Sequence, residues 1–136
     1  MIKIAVVDAQ GGGLGAAIIK SLREKYGGEV EITALGTNSA ATAAMKKSGA
    51  DFCATGENAI CFNAGKADVI MGGIGVIASC SMMGEITADI AVSIAESGAK
   101  KILVPVSKCD ILIPGTSGLG IKELVEKAAD AVAALL

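Results

Sequence analysis

The first seventeen residues, MIKIAVVDAQGGGLGAA, restrict the architecture more than any other part of the chain. An apolar run from Ile2 to Val7 stops at Asp8, and a loop holding Gly11, Gly12, Gly13 and Gly15 follows. The chain then enters Ala16, Ala17, Ile18 and Ile19, the opening of a helix. A buried strand, a tight glycine turn and a helix whose first turn is nearly bare backbone leave amide groups facing outward. The positive end of the helix dipole lies beside them, so the arrangement suits an anionic group such as a phosphate.

The rest of the chain repeats this alternation. Leu14, Ile18, Leu22 and Tyr26 fall at helical spacing and Gly27-Gly28 closes that helix. A second strand runs through Val30, Ile32, Ala34 and Leu35 to Gly36, and Thr37 or Asn38 caps a helix over residues 39–47. A short third strand over 51–54, a brief helix to about Asn63 and a fourth strand over 68–71 follow. Thr87 caps the next helix, and residues 101–106 form a fifth strand. Ile111-Leu112-Ile113-Pro114 reads as a sixth, edge strand, and Ile121, Leu124, Val125, Ala128, Val132 and Leu135 stripe a closing helix. Strands that are near-continuously apolar imply a mostly parallel sheet covered on both faces. The expected fold is α/β, a Rossmann-like three-layer sandwich of order 3-2-1-4-5 with an additional edge strand. At 136 residues, with no linker or repeat, the expectation is a single domain, 1–136.

Composition narrows the functions open to such a chain. A net charge of −2 supplies no basic surface for nucleic acid, and two phenylalanines, one tyrosine and no tryptophan supply no stacking platform. No apolar run reaches the length of a membrane span, and the short run behind Met1 lacks the parts of a signal peptide, so the expected location is cytoplasmic. The absence of histidine removes His-based triads, His metal sites and the commonest general base.

Gly11-x-Gly13-x-x-Ala16 fits the dinucleotide template G-x-G-x-x-G/A in its strand–turn–helix setting. The second glycine-rich stretch, Gly72-Gly73-Ile74-Gly75, falls on the other side of the switch point between strands one and four. The expected binding set is Asp8, Gln10, Gly11, Gly12, Gly13, Leu14, Gly15, Thr37, Asn38, Gly72, Gly73 and Gly75, with NAD(P) or another nucleotide as ligand. Two features depart from the template. The second strand should end in an acid for a ribose, or be followed by an arginine for a 2′-phosphate, yet it ends Gly36-Thr37-Asn38-Ser39. Asp8 would repel a phosphate unless a metal ion or a lysine intervened. Its simpler role is to accept the amides of the glycine loop in an Asx-type turn. The alternative is Mg²⁺ held with Glu57 and Glu85. Asn63-Ala64-Gly65 resembles a short-chain dehydrogenase signature but precedes the fourth strand, and Tyr26 has no lysine four residues on, so that enzyme class is excluded.

The four cysteines have no C-x-x-C spacing and read first as reduced, mostly buried small hydrophobes. Cys53, Cys80 and Cys109 nevertheless fall at the carboxyl ends of three strands, which makes a thiolate metal or redox site the alternative function. Cys109 beside Lys108 is the candidate reactive thiol. From Gly73 to Gly84 the chain reads GIGVIASCSMMG, a flexible apolar segment expected to form the seam of a homo-oligomer. A structural or partner-binding module built on that seam is the third reading.

Asp-x-Gln-Gly-Gly-Gly-Leu-Gly (8–15), Ala-Leu-Gly-Thr-Asn (34–38), Ala-Thr-Gly-Glu-Asn-Ala-Ile (54–60) and the later Gly-x-Ile-Gly with Met-x-Gly-Glu (73–85) resemble a family of small bacterial proteins. These occur largely in anaerobes and carry only a domain-of-unknown-function label. The resemblance spans nearly the whole chain and implies a Rossmann-like, cytoplasmic domain with no assigned activity. The family pattern usually has glycine where this chain has Ala9.

Overall fold

The computed structural model describes residues 1–106 and 110–136. Five parallel strands, β1 (Ile2–Asp8), β2 (Val30–Gly36), β3 (Phe52–Thr55), β4 (Val69–Gly73) and β5 (Lys100–Val104), lie in the order β3-β2-β1-β4-β5. Between them run α1 (Gly13–Tyr26), α2 (Ser39–Lys47), α3 (Glu57–Ala64) and α4 (Ala88–Glu96), and α5 (Ile121–Ala131) follows β5. This is the Rossmann-like α/β arrangement that the alternation of the sequence implies.

Burial of both sheet faces explains the unbroken apolar strands. Along β1, Ile4 and Val6 join Ile18, Leu22, Met45 and Ala129 in one core, which α1, α2 and α5 cover. Ala5 and Val7 point the other way, into a core with Ile60, Ile90 and Ile94 from α3 and α4. Tyr26 donates its hydroxyl to the carbonyl of Ala129 at 2.6 Å, fastening α1 to α5. Asn38 caps α2 by accepting the amide of Ala41, and Thr87 caps α4 by accepting that of Ile90.

The sixth strand is not formed. Residues 111–113 carry no regular structure, Asp110 before them takes a left-handed backbone (φ 57°), and Leu112 is 78% exposed. Among the described residues no strand pairs with the run; the carbonyl of Ile113 accepts the amide and the hydroxyl of Thr116 instead, and Pro114 cannot donate to a ladder. Gly72 and Gly73 also fall within β4 rather than in a loop, and Ile74–Ile77 is a short 3₁₀ turn. A β-carbon on Gly72 would lie 2.7 Å from the carbonyl oxygen of Val7 in β1. That glycine is therefore required by strand packing.

Candidate glycine-loop site

At the carboxyl edge of the sheet, the loop between β1 and α1 is built around Asp8. Its carboxylate accepts the amides of Ala9 (2.8 Å) and Gly15 (2.7 Å), the Asx-type role that the short polar side chain favours. Gly12 turns the chain with φ 72°, and its amide donates to the carbonyl of Ala9 at 3.0 Å. A β-carbon there would lie 2.7 Å from the Ala41 carbonyl oxygen; one on Gly15 would lie 2.5 Å from the sulfur of Met45. Gly11 and Gly13 have open space at the same position. The dinucleotide template, read as Gly11-x-Gly13-x-x-Ala16, is thus displaced. The turn and the close helix–strand packing fall on Gly12 and Gly15, while Gly11 and Gly13 face outward.

This geometry leaves three amides for a ligand. Among the described residues, no hydrogen bond within the chain engages the amides of Gly11, Gly13 or Leu14. They border a cavity of about 140 Å³ lined by residues 8–14, Met82 and Val106. Gln10 and Met82 also line a neighbouring cleft of about 590 Å³, whose other walls are 78–81, Met83, Asp110 and Ile111. Among the described residues, the non-glycine positions with left-handed backbone are Gln10, Cys80, Met82, Met83 and Asp110. Every one of them lines that cleft. Strained backbone of this kind concentrates where a surface is shaped for a ligand or partner.

Glu85 was expected only as a metal partner of Asp8 and not in the binding set; its bonds to the two preceding loops are the main feature that the sequence does not reveal. Its Oε1 accepts the amide of Gln10 (2.9 Å), the hydroxyl of Thr37 (2.7 Å) and the side-chain amide of Asn38 (2.9 Å). The loops after β1 and β2 are thereby tied to the segment after β4. The hydrogen bond from Thr37, together with those from Gln10 and Asn38, holds the Glu85 carboxyl below its ordinary value against the opposing effect of burial. Thr37 and Asn38 serve this brace with their side chains.

The other expected members separate. Gly72, Gly73 and Gly75 are buried, with Val7, Leu14 and the side chains of Ser81 and Met82 where their β-carbons would be. Close packing at these positions leaves no room for a side chain. Asp8, Glu57 and Glu85 do not converge on a metal: Glu57 accepts the hydroxyl of Thr87 instead. Among the described residues, no three Cys, Asp or Glu side chains are grouped to hold a metal ion. Cys53 and Cys80 are exposed free thiols and Cys61 is half-buried, contrary to the expectation of mostly buried cysteines; Cys109 and Lys108 lie outside the described residues. No helix among the described residues is long and apolar enough to cross a membrane.

Comparison with known proteins agrees with this architecture. No curated protein sequence matches the chain. Among solved structures it is similar to an arsenate reductase in the phosphate binding state, 17% identical, over 99% of this chain and 98% of that one, with a TM-score of 0.50. An FMN-dependent UbiX-like decarboxylase from Escherichia coli O157:H7, described as dodecameric, is 14% identical over 98% and 93% of the two chains, with a TM-score of 0.46. At 17% identity the likeness to the arsenate reductase is one of fold alone. The model of the family described as Domain of unknown function (DUF3842) matches residues 3–136, and the chain belongs to that family.

Proposed function

We propose that this family member binds a phosphate-bearing nucleotide or dinucleotide at the carboxyl edge of its sheet. The phosphate takes the amides of Gly11, Gly13 and Leu14, and the remainder of the ligand occupies the adjoining cleft. The observation that carries this reading is the pairing of the two spaces. Three amides without hydrogen-bond partners among the described residues line a cavity of about 140 Å³, which suits one anionic group and not a whole nucleotide. It shares Gln10 and Met82 with a cleft of about 590 Å³, within the range of about 300–1,000 Å³ usual for small-molecule sites. The start of α1 directs its dipole at the same place.

NAD, NADP, flavins, ATP, GTP and nucleotide-linked sugars form the test panel, with thermal unfolding as the readout. A ligand at a hundredfold excess over its Kd adds about 2.7 kcal/mol. At least one member should raise the transition; no response to any of them overturns the reading.

A second reading, a homo-oligomer seam through residues 73–84, draws support from one observation. Met83 at the tip of that segment is 92% exposed in a left-handed turn, and Ile77 is exposed nearby. Gly73, Gly75, Val76 and Ser81 are inside, so the seam would be confined to the tip. Light scattering of wild type and Met83→Glu tests it, with dissociation of an oligomer expected and a wild-type monomer contradicting it.

A further inference from the structure

We infer that Glu85 is the acceptor for a vicinal ribose diol, so that the ligand of this site is a nucleotide with free 2′- and 3′-hydroxyls. The inference rests on the nucleotide reading above. In Rossmann-type sites an acid at the end of the second strand accepts the ribose hydroxyls. The end of β2 here, Gly36-Thr37-Asn38, has no charge. Glu85 supplies it from 47 to 48 residues further along the chain, with Oε1 at 2.7 Å from the Thr37 hydroxyl and 2.9 Å from the Asn38 amide.

Two details distinguish this carboxylate from a simple loop staple. All three of its hydrogen bonds fall on Oε1, and among the described residues none falls on Oε2. A carboxylate has acceptor sites on both oxygens, so Oε2 keeps its capacity for hydroxyl donors. The third bond comes from the amide of Gln10, which like Met82 lines both the small cavity and the cleft. The carboxylate is therefore held against the loop residue next to Gly11, beside the amide cradle. Glu85 is only partly buried, which leaves it open to a ligand. A carboxylate at this place accepts a diol and repels a 2′-phosphate, so discrimination follows from its charge.

The test is calorimetric titration with ADP and with 2′,3′-dideoxy-ADP, which carry the same phosphates for the amide cradle. Wild type should bind ADP at least about tenfold more tightly, the effect of losing hydrogen bonds to a charged acceptor. Glu85→Gln keeps a carbonyl oxygen for Thr37, Asn38 and Gln10 but loses the charge, and should bind both nucleotides equally. Thr37→Val weakens the brace without altering Oε2, and should retain the preference. Equal binding of the two by wild type overturns the role of Glu85 while leaving the cradle intact. Loss of the preference in Thr37→Val as complete as in Glu85→Gln makes Glu85 a staple and also overturns it. Binding of neither nucleotide overturns this inference, while the nucleotide reading itself falls only if the whole panel above also gives no response.

Discussion

The Asp8 carboxylate accepts the amide of Gly15 at 2.7 Å, so the last side chain of β1 closes the turn that carries the chain into α1. The same carboxylate takes the amide of Ala9 on its other oxygen, and the residue is 6% exposed. An acid that looked out of place beside a phosphate site is thus part of the loop's construction. It satisfies one of the amides that every helix start leaves open.

Removing that carboxylate should destabilise the fold whether or not a ligand is present. Asp8→Ala strands the buried amide of Gly15 and frees that of Ala9, and hydrogen bonds to charged groups contribute about 1.5–3 kcal/mol each. Urea unfolding should show a loss of about 2–4 kcal/mol. Asp8→Asn, which keeps an acceptor, should lose less. An unchanged midpoint in Asp8→Ala would show that the turn does not depend on this side chain.

The glycines of β4 should behave as packing residues. Gly72→Ala forces a β-carbon to within 2.7 Å of the Val7 carbonyl oxygen, whereas Gly98→Ala meets nothing within 4 Å. Overpacking costs about 1–3 kcal/mol, so Gly72→Ala should unfold at clearly lower urea and Gly98→Ala near wild type. Equal midpoints would contradict the close approach of β1 and β4.

Glu85 should leave a signature in the acid limb of stability. Its carboxyl titrates below the ordinary value of 4.5 in the folded chain, chiefly through the Thr37 hydrogen bond. A carboxylate with a depressed folded value stabilises fully above the unfolded value; that contribution is lost as the pH falls from there through the folded value. Glu85→Gln should therefore show a shallower loss of stability on acidification below about pH 4.5. Parallel acid limbs for variant and wild type would show that the brace makes no such contribution.

The order of the sheet could be read from the sequence because burial on both faces leaves the central strands largely apolar, as Ile4 to Val7 and Val69 to Met71 illustrate. Helix α2 was likewise legible, since Asn38 before a run of alanines marks its start and the side chain does cap it. Ile111-Leu112-Ile113 misled for the same reason that the true strands were clear: apolar residues signal a strand only where another strand is available beside them. The glycine template was displaced because sequence cannot distinguish Gly12 and Gly15, where a side chain would run into Ala41 and Met45, from Gly11 and Gly13, where it would have open space. The reach of Glu85 to Thr37 spans 48 residues and follows from topology alone. An acid placed just beyond the apolar segment after β4 was its only local mark.

The central claim, that the outward amides of the glycine loop hold an anionic group, is tested most directly at Gly13. This residue is exposed, has room for a side chain, and opens α1, where an aspartate is favoured by about 0.3–1 kcal/mol through the helix dipole. Gly13→Asp therefore puts a fixed negative charge into the cradle without disturbing the fold. Thermal unfolding of wild type and variant with and without the nucleotide that stabilises wild type is the measurement. The variant alone should unfold at or slightly above the wild-type temperature, and the ligand-induced rise should disappear; a rise as large as that of wild type would contradict the claim.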